Sequence, residues 1–121
     1  MESKTMTQQQ ANEFARQWIG AWNSHNIDQI MEHYTDDVEF YSPMIIQLGF
    51  DSSGKINGKP LLQQYFQIGL TAYPNLSFQL RHVLYGINSL VIHYQSVNKK
   101  LASELMQLNE LSKAACVMCH Y

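Results

Sequence analysis

The sequence predicts an α+β fold in which helices fill the first half and antiparallel hairpins fill the second. Apolar residues recur at helical spacing as far as Tyr73, and from Leu76 onward they alternate in a period of two between short polar turns. The stretch from Ala11 to Pro43 already holds a helix, a break, a second helix and a strand, so two helices meet at a corner before the first strand begins.

Met1 to Met6 are expected to be a loose lead-in, with Thr7 as helix N-cap and Gln10 completing a weak capping box. Phe14, Trp18, Ala21 and Trp22 follow at i, i+4, i+7 and i+8, giving the first helix an aromatic face that needs a concave partner. Asn23 to Asn26 contain no apolar residue and end that helix. Ile27, Ile30, Met31 and Tyr34 form the apolar face of a short second helix, which Thr35-Asp36-Asp37 are expected to close. Val38, Phe40 and Ser42 then alternate with Glu39 and Tyr41 in a strand that Pro43 stops, because proline cannot donate to a ladder.

From Met44 to Asn57 an apolar start gives way to a turn-rich run, expected to be either a surface insertion or a lid. Gly58-Lys59-Pro60 open the third helix, whose stripe of Leu61, Leu62, Tyr65, Phe66, Gly69, Leu70 and Tyr73 ends at Pro74. The first long strand runs from Leu76 to Tyr85, with Leu76, Phe78, Leu80, His82 and Leu84 expected inward. After a turn at Gly86-Ile87-Asn88, Leu90, Ile92 and Tyr94 alternate with Val91, His93 and Gln95. Asn98-Lys99-Lys100 turn into a strand from Leu101 to Leu108, and Asn109 to Lys113 turn into a closing strand from Ala114 to Tyr121.

Trp22-Asn23-Ser24-His25-Asn26-Ile27-Asp28, followed by His33-Tyr34-Thr35-Asp36-Asp37-Val38-Glu39-Phe40-Tyr41-Ser42-Pro43, resembles the nuclear-transport-factor-2-like superfamily, most closely its SnoaL-like branch. The resemblance spans Thr7 to Tyr121 and implies a curved sheet wrapped around three helices as a cone with a pocket, often dimeric. It leaves activity open, since members include isomerases, cyclases, dehydratases, ligand binders and interaction modules.

Registration on the ketosteroid-isomerase-like relatives implies that Ala102, Glu104, Met106 and Leu108 face inward with Val117, Cys119 and Tyr121, and that Val38, Phe40 and Ser42 do so on the first strand. Those relatives use a carboxylate just before the proline as base, a first-helix tyrosine as donor and a neutral late-strand acid as second donor. Here Ser42 and Trp18 replace the first two, and only Glu104 is retained. An acid between Ala102 and Met106 loses hydration, which favours its neutral form and suits proton transfer. The alternatives are that Glu104 pairs with a tyrosine, or that a register shift of one residue puts it in solvent. His82 is the second candidate for proton transfer, although a lone histidine on an apolar face is more often a hydrogen-bonded core residue.

Two resemblances to other chemistry fail. Cys116-Val117-Met118-Cys119-His120 matches C-x-x-C-H, but on a strand residues i and i+3 point to opposite faces, so the thiols neither attach haem nor bridge each other. His25, His33, His93 and His120 lie on different elements without paired metal-ligand spacing, and no cofactor is expected.

With Lys+Arg 8 against Asp+Glu 10, the net charge of −2 offers no broad phosphate-binding surface, and nucleic acid is excluded as an expected partner. No stretch approaches the roughly 20 apolar residues of a membrane span, and Met1 to Gln10 lack the pattern of a secretory leader, so a cytoplasmic chain of one domain is expected. Val91, His93, Gln95 and Val97, with Leu101, Ser103, Leu105 and Gln107, leave the outer sheet face poor in charge. That face is expected to pair two copies, aggregation being the alternative. The leading expectation is a cofactor-independent protein that binds a small, largely apolar organic molecule. Trp18, Tyr34, Phe40, Phe66 and Met106 would shape the pocket, with Ser42, Cys119 and Tyr121 also against the ligand. Glu104 and His82 would move protons in isomerisation, cyclisation, dehydration or hydrolysis. The alternative is a non-catalytic binding or dimerisation module whose pocket is filled by its own aromatics.

Overall fold

A computed structural model describes residues 5–121. The expectation of a loose lead-in falls for its first four residues outside this range. Thr5 and Met6 are not loose: Thr5 bridges Ile87, and the Met6 N–H donates to the Gly86 carbonyl at 3.1 Å.

The first helix, α1, runs Gln8–Ser24 and begins with a complete capping box. The Gln10 N–H donates to Thr7 Oγ1 and the Thr7 N–H to Gln10 Oε1, both at 3.0 Å, which satisfies two otherwise orphaned donors. It ends on His25 at φ 60, and the short α2, Ile27–Met31, starts at once under Asn26, whose side chain accepts from the Asp28 and Gln29 N–H groups. Strand β1 spans Tyr34–Tyr41, so Tyr34 and the Thr35-Asp36-Asp37 run belong to the strand rather than to the end of a helix. The reason is tertiary. β1 lies in parallel beside the last strand, β6, Ala114–His120, and the register slips between Tyr34 and Glu39, which lets both aspartates bulge into solvent.

Pro43 does stop β1, but Ser42 is a helix cap rather than a strand end: its Oγ accepts from the Met44 N–H at 3.2 Å and opens α3, Pro43–Gln47. The segment expected as a loop therefore contains α3 and a short strand β2, Lys55–Asn57, antiparallel to β1. Gly58, at φ 91, caps α4, Lys59–Ala72; only glycine takes that angle without strain. The remaining strands are β3, Gln79–Gly86, β4, Ser89–Gln95, and β5, Leu101–Leu108. The sheet is six-stranded, in the order β2-β1-β6-β5-β4-β3, curved and open, with antiparallel neighbours except at β1–β6.

One parity expectation fails. Leu80 pairs with Tyr94 and His82 with His93, so Arg81 is an extra residue and the faces exchange beyond it. Val83 packs against the core, whereas Leu84 is 59% exposed and His82 lies outside. The core occupies the concave side, where Trp18 sits between Phe78 (5.9 Å between centroids), Tyr94 (5.2 Å) and Trp22 (6.3 Å). Aromatic contacts of this kind add about 0.5–1.5 kcal/mol each beyond the area they bury.

Candidate functional site

Between α3, α4 and the concave face of the sheet lies a cavity of about 380 Å³. Its walls are Trp22, Phe40, Phe66, Phe78 and Tyr65, the buried Glu104 and Cys119 form its inner end, and the outer end is rimmed by α3 and the β4–β5 turn, with the exposed Tyr121 also in the lining. A wider groove of about 1600 Å³ runs between the start of α1 and the β5–β6 turn, but among the described residues none of its carboxyls is buried.

Glu104 projects inward from the middle of β5 and is 5% exposed. Tyr94 O–H donates to its Oε2 at 2.5 Å. Cys119 faces it directly across the β5–β6 ladder. Loss of hydration pushes the Glu104 carboxyl up to about 7, outweighing the Tyr94 hydroxyl and Cys119 thiol, which favour the ionised form. Of the two alternatives to a proton-transfer role, the register shift into solvent fails, because Glu104 is buried, and the pairing with a tyrosine is met by Tyr94.

A second polar group adjoins the acid. Ser42 Oγ and Tyr121 OH lie 3.3 Å apart, and the Tyr65 hydroxyl reaches Ser42 as well. Burial pushes Tyr65 up to about 12 and holds Tyr121, Tyr94 and the Cys119 thiol well above their ordinary values, so these groups stay protonated as donors at neutral pH.

The expected residues divide clearly. Phe40, Phe66, Glu104, Cys119 and Tyr121 line the cavity. Ser42 is buried behind Tyr121. Trp18, Tyr34 and Met106 lie deeper, in the packed core, and do not reach the cavity; Trp18 Nε1–H donates to Tyr34 OH at 2.9 Å, which holds two elements together. His82 is a correction: the Arg81 bulge turns it onto the convex face, where its ring stacks on His93 at 5.5 Å, remote from the acid. Val97 is another. Expected on the outer face, it packs against the core at the cavity rim.

Sequence reasoning missed Tyr94 as the partner of Glu104, and it missed Trp22, Phe78 and Tyr65 as cavity walls. Tyr94 was visible as one member of an alternating strand, but its reach to Glu104 depends on the β4–β5 register, which pairs Tyr94 with Ala102 and Ile92 with Glu104. Trp22 Nε1, beside the Tyr34 hydroxyl, is buried and completes no hydrogen bond. Among the described residues no three His, Cys, Asp or Glu side chains converge to hold a metal, and no helix is long and apolar enough to cross a membrane.

A family model for the SnoaL-like domain matches residues 15–104, which carry the helical corner, the cavity walls and Glu104. The chain belongs to the SnoaL-like family. Among solved structures, a SnoaL-like protein of unknown function from Burkholderia thailandensis is 36% identical over 98% of both chains, with a TM-score of 0.93. SalBIII, an epoxide hydrolase/cyclase-like enzyme with a role in pyran ring formation in the polyether salinomycin, aligns over 92% of this chain and 89% of its own at 18% identity and TM-score 0.71. A protein of the family from Agrobacterium tumefaciens, named as an isomerase, aligns over 92% and 96% at 12% identity and TM-score 0.72. The last two likenesses are of fold. Comparison with curated proteins yields no match.

Proposed function

We propose that this SnoaL-like chain binds a small, largely apolar organic molecule in the 380 Å³ cavity and moves a proton on it through Glu104. The observation that carries the reading is a buried carboxyl, held near pH 7, at the inner end of an aromatic cavity with protonated hydroxyls beside it. A group that is half ionised near neutrality serves as acid or base with equal ease. The Tyr121 and Tyr65 hydroxyls, both in the cavity lining, would hold an oxygen whose charge changes as the proton moves, with Ser42 positioning them from behind. The reaction class is isomerisation or cyclisation without a cofactor, which agrees with the cyclase-like and isomerase-named proteins of the same fold. The same reading has two chains paired through the convex sheet face.

Thermal-shift screening against ring-bearing ketones, epoxides and enones identifies a substrate. With it, Glu104→Gln is expected to lower kcat by roughly 10²–10⁴-fold while affinity changes little, and the wild-type rate to follow one ionisation near pH 7. Full turnover by Glu104→Gln rejects proton transfer and favours a non-catalytic binding module.

A further inference from the structure

We infer that the ligand is an amphipathic anion: an apolar body of two or three rings with an oxygen acceptor at one end and a carboxylate at the other, the carboxylate held at the cavity mouth by Lys100. The inference rests on the proposal that this cavity is the binding site and adds the ligand's charge and length.

Lys100 lines the outer end of the cavity, is exposed, and forms no ion pair among the described residues. Glu104 is the sole acid among the lining side chains, and it is buried, away from the exposed rim. The rim therefore carries one sign of charge, with Ser96, Asn98 and Gln47 adding neutral hydrogen-bonding groups. Strand geometry sets the spacing. Lys100 immediately precedes β5 in extended conformation, Lys100 and Glu104 both line the cavity, and at about 3.3 Å per residue the two charged positions are roughly 13 Å apart along the backbone. A cavity of roughly 150 Å³ is enough for one benzene ring. At about 380 Å³ this one holds two or three rings, a body long enough to place an acceptor oxygen at Glu104 and a carboxylate at Lys100.

The backbone at the rim fits a dedicated role. Asn98 and Lys99 both take left-handed angles, φ 57 and 59, in a tight turn closed by the Lys100 N–H donating to the Val97 carbonyl at 3.2 Å. That turn brings Lys100 to the cavity edge.

The test uses 6-acetyl-2-naphthoate and the matching carboxamide, titrated by calorimetry into the whole chain and three variants. The carboxylate is expected to bind about fivefold or more tightly than the amide at low ionic strength, with the gap shrinking in salt. Lys100→Gln should bring the carboxylate to the amide's affinity without moving the amide, and Lys100→Glu should reverse the order. Gly69 lines the cavity, and a Cβ at this position would meet no atom within 4 Å, so Gly69→Phe should fill the space and abolish binding of both probes. Equal affinities in the wild type, or a preference that survives Lys100→Gln, would overturn the anion inference while leaving the cavity reading intact. Absence of binding by either probe, or binding undiminished in Gly69→Phe, would overturn the cavity reading and this inference with it.

Discussion

Glu104 makes a pH signature that belongs to a single side chain. In the folded chain its carboxyl holds a proton up to about pH 7, whereas in the unfolded chain it ionises near 4.5. Folding therefore takes up a proton between those values, and stability is expected to fall as pH rises through that window and to level off above it. The loss is of order 3 kcal/mol. Glu104→Gln keeps an acceptor for Tyr94 but cannot ionise, so the variant's urea midpoint should rise relative to that of the wild type from pH 4.5 to 7. A constant difference across that range would show that the carboxyl is not held neutral. At the same scale, the Arg81 bulge separates His82 from Glu104: one inserted residue places its ring on the other face of the sheet.

The element with the clearest local conflict is the β4–β5 turn. Consecutive left-handed residues suit Asn-Gly, and Asn98 fits the first position, but Lys99 in the second carries a Cβ cost of roughly 1–2 kcal/mol. Glycine relieves that cost but loses more freedom on folding, so Lys99→Gly is expected to stabilise the chain by about 1 kcal/mol or less, measured by urea denaturation. A destabilised variant would mean that Lys99 does not occupy the left-handed region. The substitution leaves Lys100 in place, so binding of a carboxylate probe should not change. The opposite balance holds at α1, where Thr7 and Gln10 agree with the fold and satisfy each other's backbone donors.

For the whole molecule, the convex face is the surface left to explain. Leu84, Leu101 and Met118 are exposed there at 59%, 55% and 41%, and Leu105 lies centrally, paired with Val91 and Met118 on its two neighbours. Sedimentation at micromolar concentration is expected to give twice the monomer mass. Leu105→Glu should shift it to the monomer without unfolding it, because that side chain faces away from the core. A wild-type monomer would remove the dimer from the proposal, and the cavity would be unaffected.

Local pattern was enough for the helical corner, the strands from Leu90 to Tyr121 and the reason the two cysteines do not meet. Each follows from a period of 3.6 or of two along a few consecutive residues. The SnoaL-like resemblance was legible for a related reason, since Trp22 to Pro43 combine a helix stop and a strand stop in a fixed order. Tertiary structure decided what depends on a partner strand: the inclusion of Thr35–Asp37 in β1, the exchange of faces at Arg81 and the Tyr94–Glu104 hydrogen bond. Register and bulges come from pairing between residues far apart in the chain, and a short window does not contain that information. The cavity is of the same kind, because Trp18, Tyr34 and Met106 have the same apolar character as Phe40 and Phe66, and only packing determined which of them border empty space.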